Sequence, residues 1–127
     1  MKIIKTNKSP EAIGTYSQGI IAENYVFTSG QIGIDPDTGM LIQDNLKDEI
    51  VQIFKNIENV LIEGGSSLDS IIKLNIYMTD LGDFDILNNA MLELLNPEKL
   101  PARSTVEVSR LPKDANIEID AIGKVDL

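Results

Sequence analysis

The 127-residue chain contains no cysteine and no histidine. Without cysteine it can form no disulfide, offer no thiolate to zinc and use no sulfur nucleophile. Without histidine it lacks the commonest general base and the commonest metal ligand. Acid–base chemistry therefore falls to Asp, Glu, Lys, Tyr or bound water. Basic residues are scarce, 11 against 20 acidic ones, for a net charge of −9. The arginines are Arg103 and Arg110 alone. No basic stripe is present, and a field of this sign opposes approach to a phosphate backbone. No apolar run reaches the roughly 20 residues of a membrane span. Met1-Lys2-Ile3-Ile4-Lys5 opens no signal-peptide core. These absences predict a cytoplasmic protein without nucleic-acid or membrane partners.

What is present reads as one globular domain over residues 1–127. Apolar residues make up 43% and charged residues 24%, ordinary values for a packed core. Residues 19–29 hold two short apolar runs parted by Glu23-Asn24, the pattern of two strands and a tight turn. Asp35-Pro36-Asp37-Thr38-Gly39 is a turn. It is not a calcium loop, since Leu46 stands where the bidentate acid belongs. Leu46, Ile50, Ile53, Phe54, Ile57, Val60 and Leu61 recur at helical spacing, with Asp44 or Asn45 as cap and Gly64-Gly65 as stop. Val51 and Ile62 fall off that stripe and predict a second buried surface. Residues 70–79 alternate as a strand, with Ile72, Leu74, Ile76 and Met78 on one face. Residues 80–96 form a second helix with Phe84, Leu87, Met91 and Leu94 inward. Residues 102–109 and 117–125 are two more strands.

The order predicts an α+β fold: a mixed sheet with both helices on one face. The last two strands are expected to pair as a hairpin around residues 111–116. That register puts Arg103 opposite Lys124 and Glu118 opposite Ser109, roughly 20 Å apart at ~3.3 Å per residue. The uncovered face then carries Ile122 and Tyr77 beside Arg103, Thr105, Glu107, Glu118 and Asp120. A face so mixed predicts contact with another copy of the chain.

Five blocks carry a resemblance. Ile13-Gly14-Thr15-Tyr16-Ser17-Gln18-Gly19 resembles the opening motif of the Rid proteins, the reactive-intermediate (enamine/imine) deaminases. Thr28-Ser29-Gly30-Gln31-Ile32 resembles their second block, and Asp80-Leu81-Gly82-Asp83-Phe84 with Asn88 their third. Pro101-Ala102-Arg103-Ser104-Thr105-Val106-Glu107-Val108 with Leu111-Pro112 is similar to their signature. Ile117-Glu118-Ile119-Asp120-Ala121-Ile122 is similar to their closing strand. Thr15, Asp120 and Gly123 depart from the usual proline, glutamate and alanine. The resemblance implies a chorismate-mutase-like fold and a homotrimer with sites between subunits. It further implies hydrolysis of 2-imino or 2-enamino acids to 2-oxo acids and ammonia, without metal or organic cofactor. The site positions it implies are Tyr16, Ser29, Gly30, Asn88, Arg103, Thr105 and Glu118.

The chemistry of these residues suits that reaction. The planar fork of Arg103 can hold a carboxylate by two parallel hydrogen bonds; its plainer reading is an ion pair with Glu107 or Asp120. Glu118 can hold the attacking water or pass a proton to leaving ammonia. Tyr16 can pack its ring on the substrate and donate its hydroxyl. Gly30 can let a backbone carbonyl approach the imine. Ser29, Asn88 and Thr105 are expected to bind substrate. The competing readings are a regulatory trimer that binds 2-oxo acids without turnover and, further off, a ribonuclease or chaperone-like protein.

Overall fold

The stripe that begins at Leu46 is helix α1, Leu46–Glu63, in the computed structural model of the chain, which describes residues 1–126. Of the two candidate caps, Asn45 acts: its side-chain oxygen accepts from the Asp48 amide at 2.9 Å, and its Nδ2 donates to the Asp48 carboxylate. Such a cap is worth about 1 kcal/mol. Gly64 ends the helix where a Cβ would lie 2.7 Å from Ile4 and 2.8 Å from Val26, so only glycine allows this close approach. Ile62 is exposed and Val51 half-buried, so the stripe is the helix's main buried face.

Among the described residues, six strands form one sheet: β1 Lys2–Ile4, β2 Gly19–Ala22, β3 Tyr25–Thr28, β4 Ile71–Met78, β5 Ala102–Glu107 and β6 Ile117–Lys124. Their order is β1-β2-β3-β6-β4-β5. The first strand lies in the segment that the sequence left unassigned. The second helix, α2, is Phe84–Leu94. It starts later than Asp80 because Asp80 caps a separate 3-10 turn, Leu81–Asp83, by accepting from Gly82.

The core lies between the helices and one sheet face. Ile50, Ile53, Phe54, Ile57, Val60 and Leu61 of α1 and Leu87 of α2 meet Leu74, Ile76 and Met78 of β4 and Ile117 and Ile119 of β6. Full burial of one such side chain stabilises by about 1.5–3 kcal/mol. The fold is thus the expected α+β architecture, with both helices on one face of a mixed sheet. No helix among the described residues is long and apolar enough to cross a membrane.

The expected terminal hairpin does not form. β6 inserts between β3 and β4, antiparallel to both, and β5 lies at the edge, parallel to β4. Arg103 is therefore opposite Leu74, and Glu118 is opposite Tyr77. Paired residues share a sheet face, and Leu74 faces the helices whereas Tyr77 does not. Arg103, Thr105 and Glu107 thus lie on the helix side. Glu118 and Asp120 share the open side with Tyr77 and Ile122. The open face carries Lys73 and Lys124 in place of Arg103 and Glu107, and it adds Tyr25 and Phe27 to its apolar residues.

Candidate active site

Two cavities hold the predicted residues other than Thr105. The first, about 630 Å³, is lined by Tyr16, Ser29, Gly30, Ile32, Lys113 and Glu118 among others. It starts from Gln18, whose buried side chain accepts from the Thr6 amide at 2.7 Å and donates to the carbonyls of Thr6, Ser9 and Pro10. That clasp folds residues 6–10 back and brings Tyr16 to the rim, 55% exposed. Ser29 closes the other end: its amide donates to the Gln18 carbonyl and its hydroxyl to the Ser17 carbonyl. The hydroxyl's proton is thus committed, and toward a ligand Ser29 offers a lone pair. Asn56 of α1, fully buried, steadies the far wall by donating to the carbonyls of Ile32 and Ile34.

The missing side chain of Gly30 has a packing consequence. Gln31 exchanges both backbone hydrogen bonds with Ile119, at 2.8 and 3.1 Å, which lays Gly30 beside Glu118. A Cβ on residue 30 would stand 2.7 Å from Glu118 Oε2 and 2.8 Å from its Cδ. The missing side chain makes room for the carboxylate. The backbone of Gly30 is outside the left-handed region, and the obstructing atoms are the free end of a side chain. Gly30→Ala is therefore expected to change unfolding stability by less than about 1 kcal/mol yet lower turnover roughly tenfold or more by displacing Glu118. Thermal melts and steady-state rates on the same preparation check both halves of this expectation.

Glu118 is half-buried, and its carboxyl is held above the usual glutamate value of 4.5, first by loss of solvent and then by the charge of Asp120. A raised folded-state value means that the folded protein binds this proton more tightly than the unfolded chain does. The stabilisation is full below the unfolded value and is lost as pH rises through the folded one. Asp120 itself accepts from Asn75 Nδ2 at 2.8 Å.

The second cavity, about 330 Å³, lies at Asn88, Met91, Leu92, Leu100, Pro101 and Arg103. Arg103 Nη1 donates to Asn88 Oδ1 at 2.8 Å and contacts the Met91 sulfur at 3.4 Å. The guanidinium carbon sits 5.0 Å from the centre of the Phe84 ring, a cation–π contact. Among the described residues Arg103 belongs to no ion pair. Its plainer reading is thereby removed: Glu107 accepts from the Leu81 amide instead, and Asp120 is on the other face. Thr105, two residues on, has a buried hydroxyl without a hydrogen-bond partner. Asn88 orients the arginine through its carbonyl oxygen, which leaves its amide NH₂ for a ligand.

Comparison with known proteins gives the family of the chain. The profile of the family described as Endoribonuclease L-PSP matches residues 6–125. A RutC family protein of Pyrococcus horikoshii is 46% identical over 95% of this chain and 95% of its own. The crystal structure of RidA from an Antarctic Psychrobacter superposes with a TM-score of 0.94 at 40% identity, covering 98% of this chain and all of that one. The chain belongs to the Rid family. A rat relative named 2-iminobutanoate/2-iminopropanoate deaminase is 36% identical over 95% of this chain and 88% of its own.

In this Rid chain the predicted residues divide. Tyr16, Ser29, Gly30 and Glu118 meet in one cavity; Asn88 and Arg103 meet in the other. Arg103 and Glu118 are three positions apart along β4 and two strands across, roughly 10 Å in each direction, and they point to opposite faces. Phe84 was expected in the core, yet it is 37% exposed and lies under the arginine. Its spacing with Asn88 and Met91 (i, i+4, i+7) marks one helix face. That signal was in the sequence, but sequence alone did not show that this face looks at β5. Gly123 is accounted for by packing: a Cβ there would lie 2.6 Å from Ser66 Oγ.

Proposed function

We propose that this chain is a deaminase that hydrolyses small reactive 2-imino and 2-enamino acids to 2-oxo acids and ammonia, working in the cytoplasm as a homotrimer of single-domain subunits. The observation that carries this reading is the division of the site. Among the described residues, one chain offers a guanidinium in no ion pair and, on the opposite face, a half-buried carboxylate in no ion pair. Two copies that meet at a cleft supply both. The apolar patch of Tyr25, Phe27, Ile122 and Tyr77 on the open sheet face gives such copies a surface to bury.

In this reading Arg103 of one subunit clamps the substrate carboxylate, with Thr105 and the Asn88 amide beside it. Tyr16, Ser29, Gly30 and Glu118 of the neighbour enclose the imine carbon. Glu118 takes a proton as water adds to the protonated imine; the C–O bond forms and the C=N π pair moves to nitrogen. The same proton then passes to that nitrogen. The C–N bond breaks, the hydroxyl proton is lost, and 2-oxo acid and ammonia leave. No step calls for a metal or organic cofactor. An enamine must first take a proton on carbon to become the imine.

The experiment forms imines in situ from a panel of amino acids and follows ammonia, with semicarbazide competing for free imine. The wild type is expected to raise ammonia release above the uncatalysed rate. Its kcat/KM should climb with pH through a point above the ordinary glutamate range, where Glu118 ionises, and Glu118→Gln should remove that limb along with most of the rate. The same variant should be no less stable at neutral pH, because it lacks the carboxylate whose ionisation opposes folding there. Binding of 2-oxo acids with no ammonia release would favour a regulatory trimer. The family's description mentions endoribonuclease, but a net charge of −9 weighs against an RNA substrate. An RNA assay beside its Arg103→Ala control tests that alternative.

A further inference from the structure

The first turn of α1 contains a carboxylate that the proposed reaction does not use. Glu49 is fully buried. It belongs to no ion pair among the described residues. A buried carboxylate without a cation is unfavourable, and a neutral side chain would fill the same space at lower cost. What it does have is two donors from one residue. The Asn116 amide donates to Oε2 and Asn116 Nδ2 donates to Oε1, each at 2.9 Å. Only a carboxylate offers two acceptor atoms in this arrangement; a glutamine would turn its NH₂ toward one of the two donors.

Asn116 is the last residue before β6, two positions from Glu118. Its carbonyl accepts from the Thr79 amide at 3.1 Å and the Thr79 hydroxyl at 3.4 Å. Pairing of β6 with β3 covers only residues 122–124, so near Glu118 the strand is held on that side by the Gln31–Ile119 bridge and by the Ala121 amide, which donates to Thr28 Oγ1 at 3.0 Å. The loop that bears Gln31 also rests on Glu49. A Cβ on Gly33 would stand 3.0 Å from Glu49 Cγ and 3.0 Å from its carbonyl oxygen. Glu49 therefore touches both walls between which the Glu118 carboxylate lies over Gly30, and it does so from a helix anchored in the core.

We propose that Glu49 is a positioning residue that holds the start of β6 and the 30–33 loop in the register that seats Glu118 for chemistry. This rests on the reading of Glu118 as the residue that handles water. The groups that face Glu118 are Asp120 and Tyr77 on the open sheet face, and Glu11, Tyr16 and Lys113 line the same cavity.

The test is Glu49→Gln in the intact assembly, with two readouts. Titration of the Glu118 carboxyl carbon by NMR is expected to move toward the ordinary glutamate value, because the side chain leaves its half-buried seat beside Asp120. Turnover is expected to fall roughly tenfold while KM, set by the arginine clamp, stays within about twofold. Asn116→Ala, at an exposed residue, removes one of the two bonds from outside the core. It should shift both readouts in the same direction, and it decides the matter if Glu49→Gln does not fold. A folded variant with unchanged Glu118 titration and unchanged kcat overturns the inference. The NMR readout needs no turnover. A wild type that releases no ammonia thus refutes the deaminase reading, whereas an unmoved Glu118 in an active enzyme refutes this inference alone.

Discussion

Arg103→Ala is expected to lower kcat/KM for imine hydrolysis by about 2–5 kcal/mol of transition-state binding, roughly 30-fold to several thousandfold. The side chain is preorganised for an anion. Phe84 supports its face, and Asn88 and Met91 fix one nitrogen. Among the described residues no carboxylate pairs with it. Removal leaves the substrate carboxylate desolvated with only Thr105 and Asn88 to meet it. Arg103→Lys keeps the charge but loses the fork and the stacking, so it should recover little. Folding stability should fall by about 1–3 kcal/mol, since the hydrogen bond to Asn88 and the cation–π contact with Phe84 are lost. Initial rates over a range of imine concentrations, with thermal melts as the control for folding, check the expectation. An Arg103→Ala enzyme that keeps wild-type kcat/KM would remove the anion clamp from the proposal.

The second large effect comes from mixing subunits. Arg103→Ala and Glu118→Gln are each expected to abolish most activity, because every cleft in either oligomer lacks one partner. When the two variants are unfolded together in equal amounts and refolded, some clefts receive an intact arginine from one chain and an intact glutamate from the other. In randomly mixed rings about a quarter of clefts do so, so about a quarter of the wild-type rate should return. Refolding each variant separately and then combining them supplies the control for simple addition. No recovery in hybrids whose mixed composition is shown by native mass spectrometry would mean that Arg103 and Glu118 do not serve one substrate from two chains.

The local elements were legible before any coordinates. The 3.6-residue stripe from Leu46 to Leu61 made a helix because burying seven large apolar side chains outweighs any competing local pattern. The alternation of residues 70–79 made a strand for the same reason. The candidate site residues were also legible by type: a guanidinium fork at Arg103, a carboxylate at Glu118, a residue without a side chain at Gly30. Composition excluded whole classes of chemistry, since a chain with no thiol and no imidazole cannot use either.

The order of the strands was not legible, and the site depends on it. A short loop between residues 107 and 117 favours a hairpin on local grounds. However, β6 alternates between buried Ile117, Ile119, Ala121 and Gly123 and the less buried Glu118, Asp120, Ile122 and Lys124, and the most buried place for the buried row is the middle of the sheet. Taking that place separates β6 from β5, moves Arg103 to the helix face above α2 and leaves Glu118 on the open face. The sequence alone established which groups could do the chemistry. Which of them share a face, that Phe84 supports the arginine instead of filling the core, and that Arg103 and Glu118 lie on opposite faces of the sheet were decided by tertiary packing, because strand order minimises exposed apolar surface across the whole sheet and no local pattern records that sum.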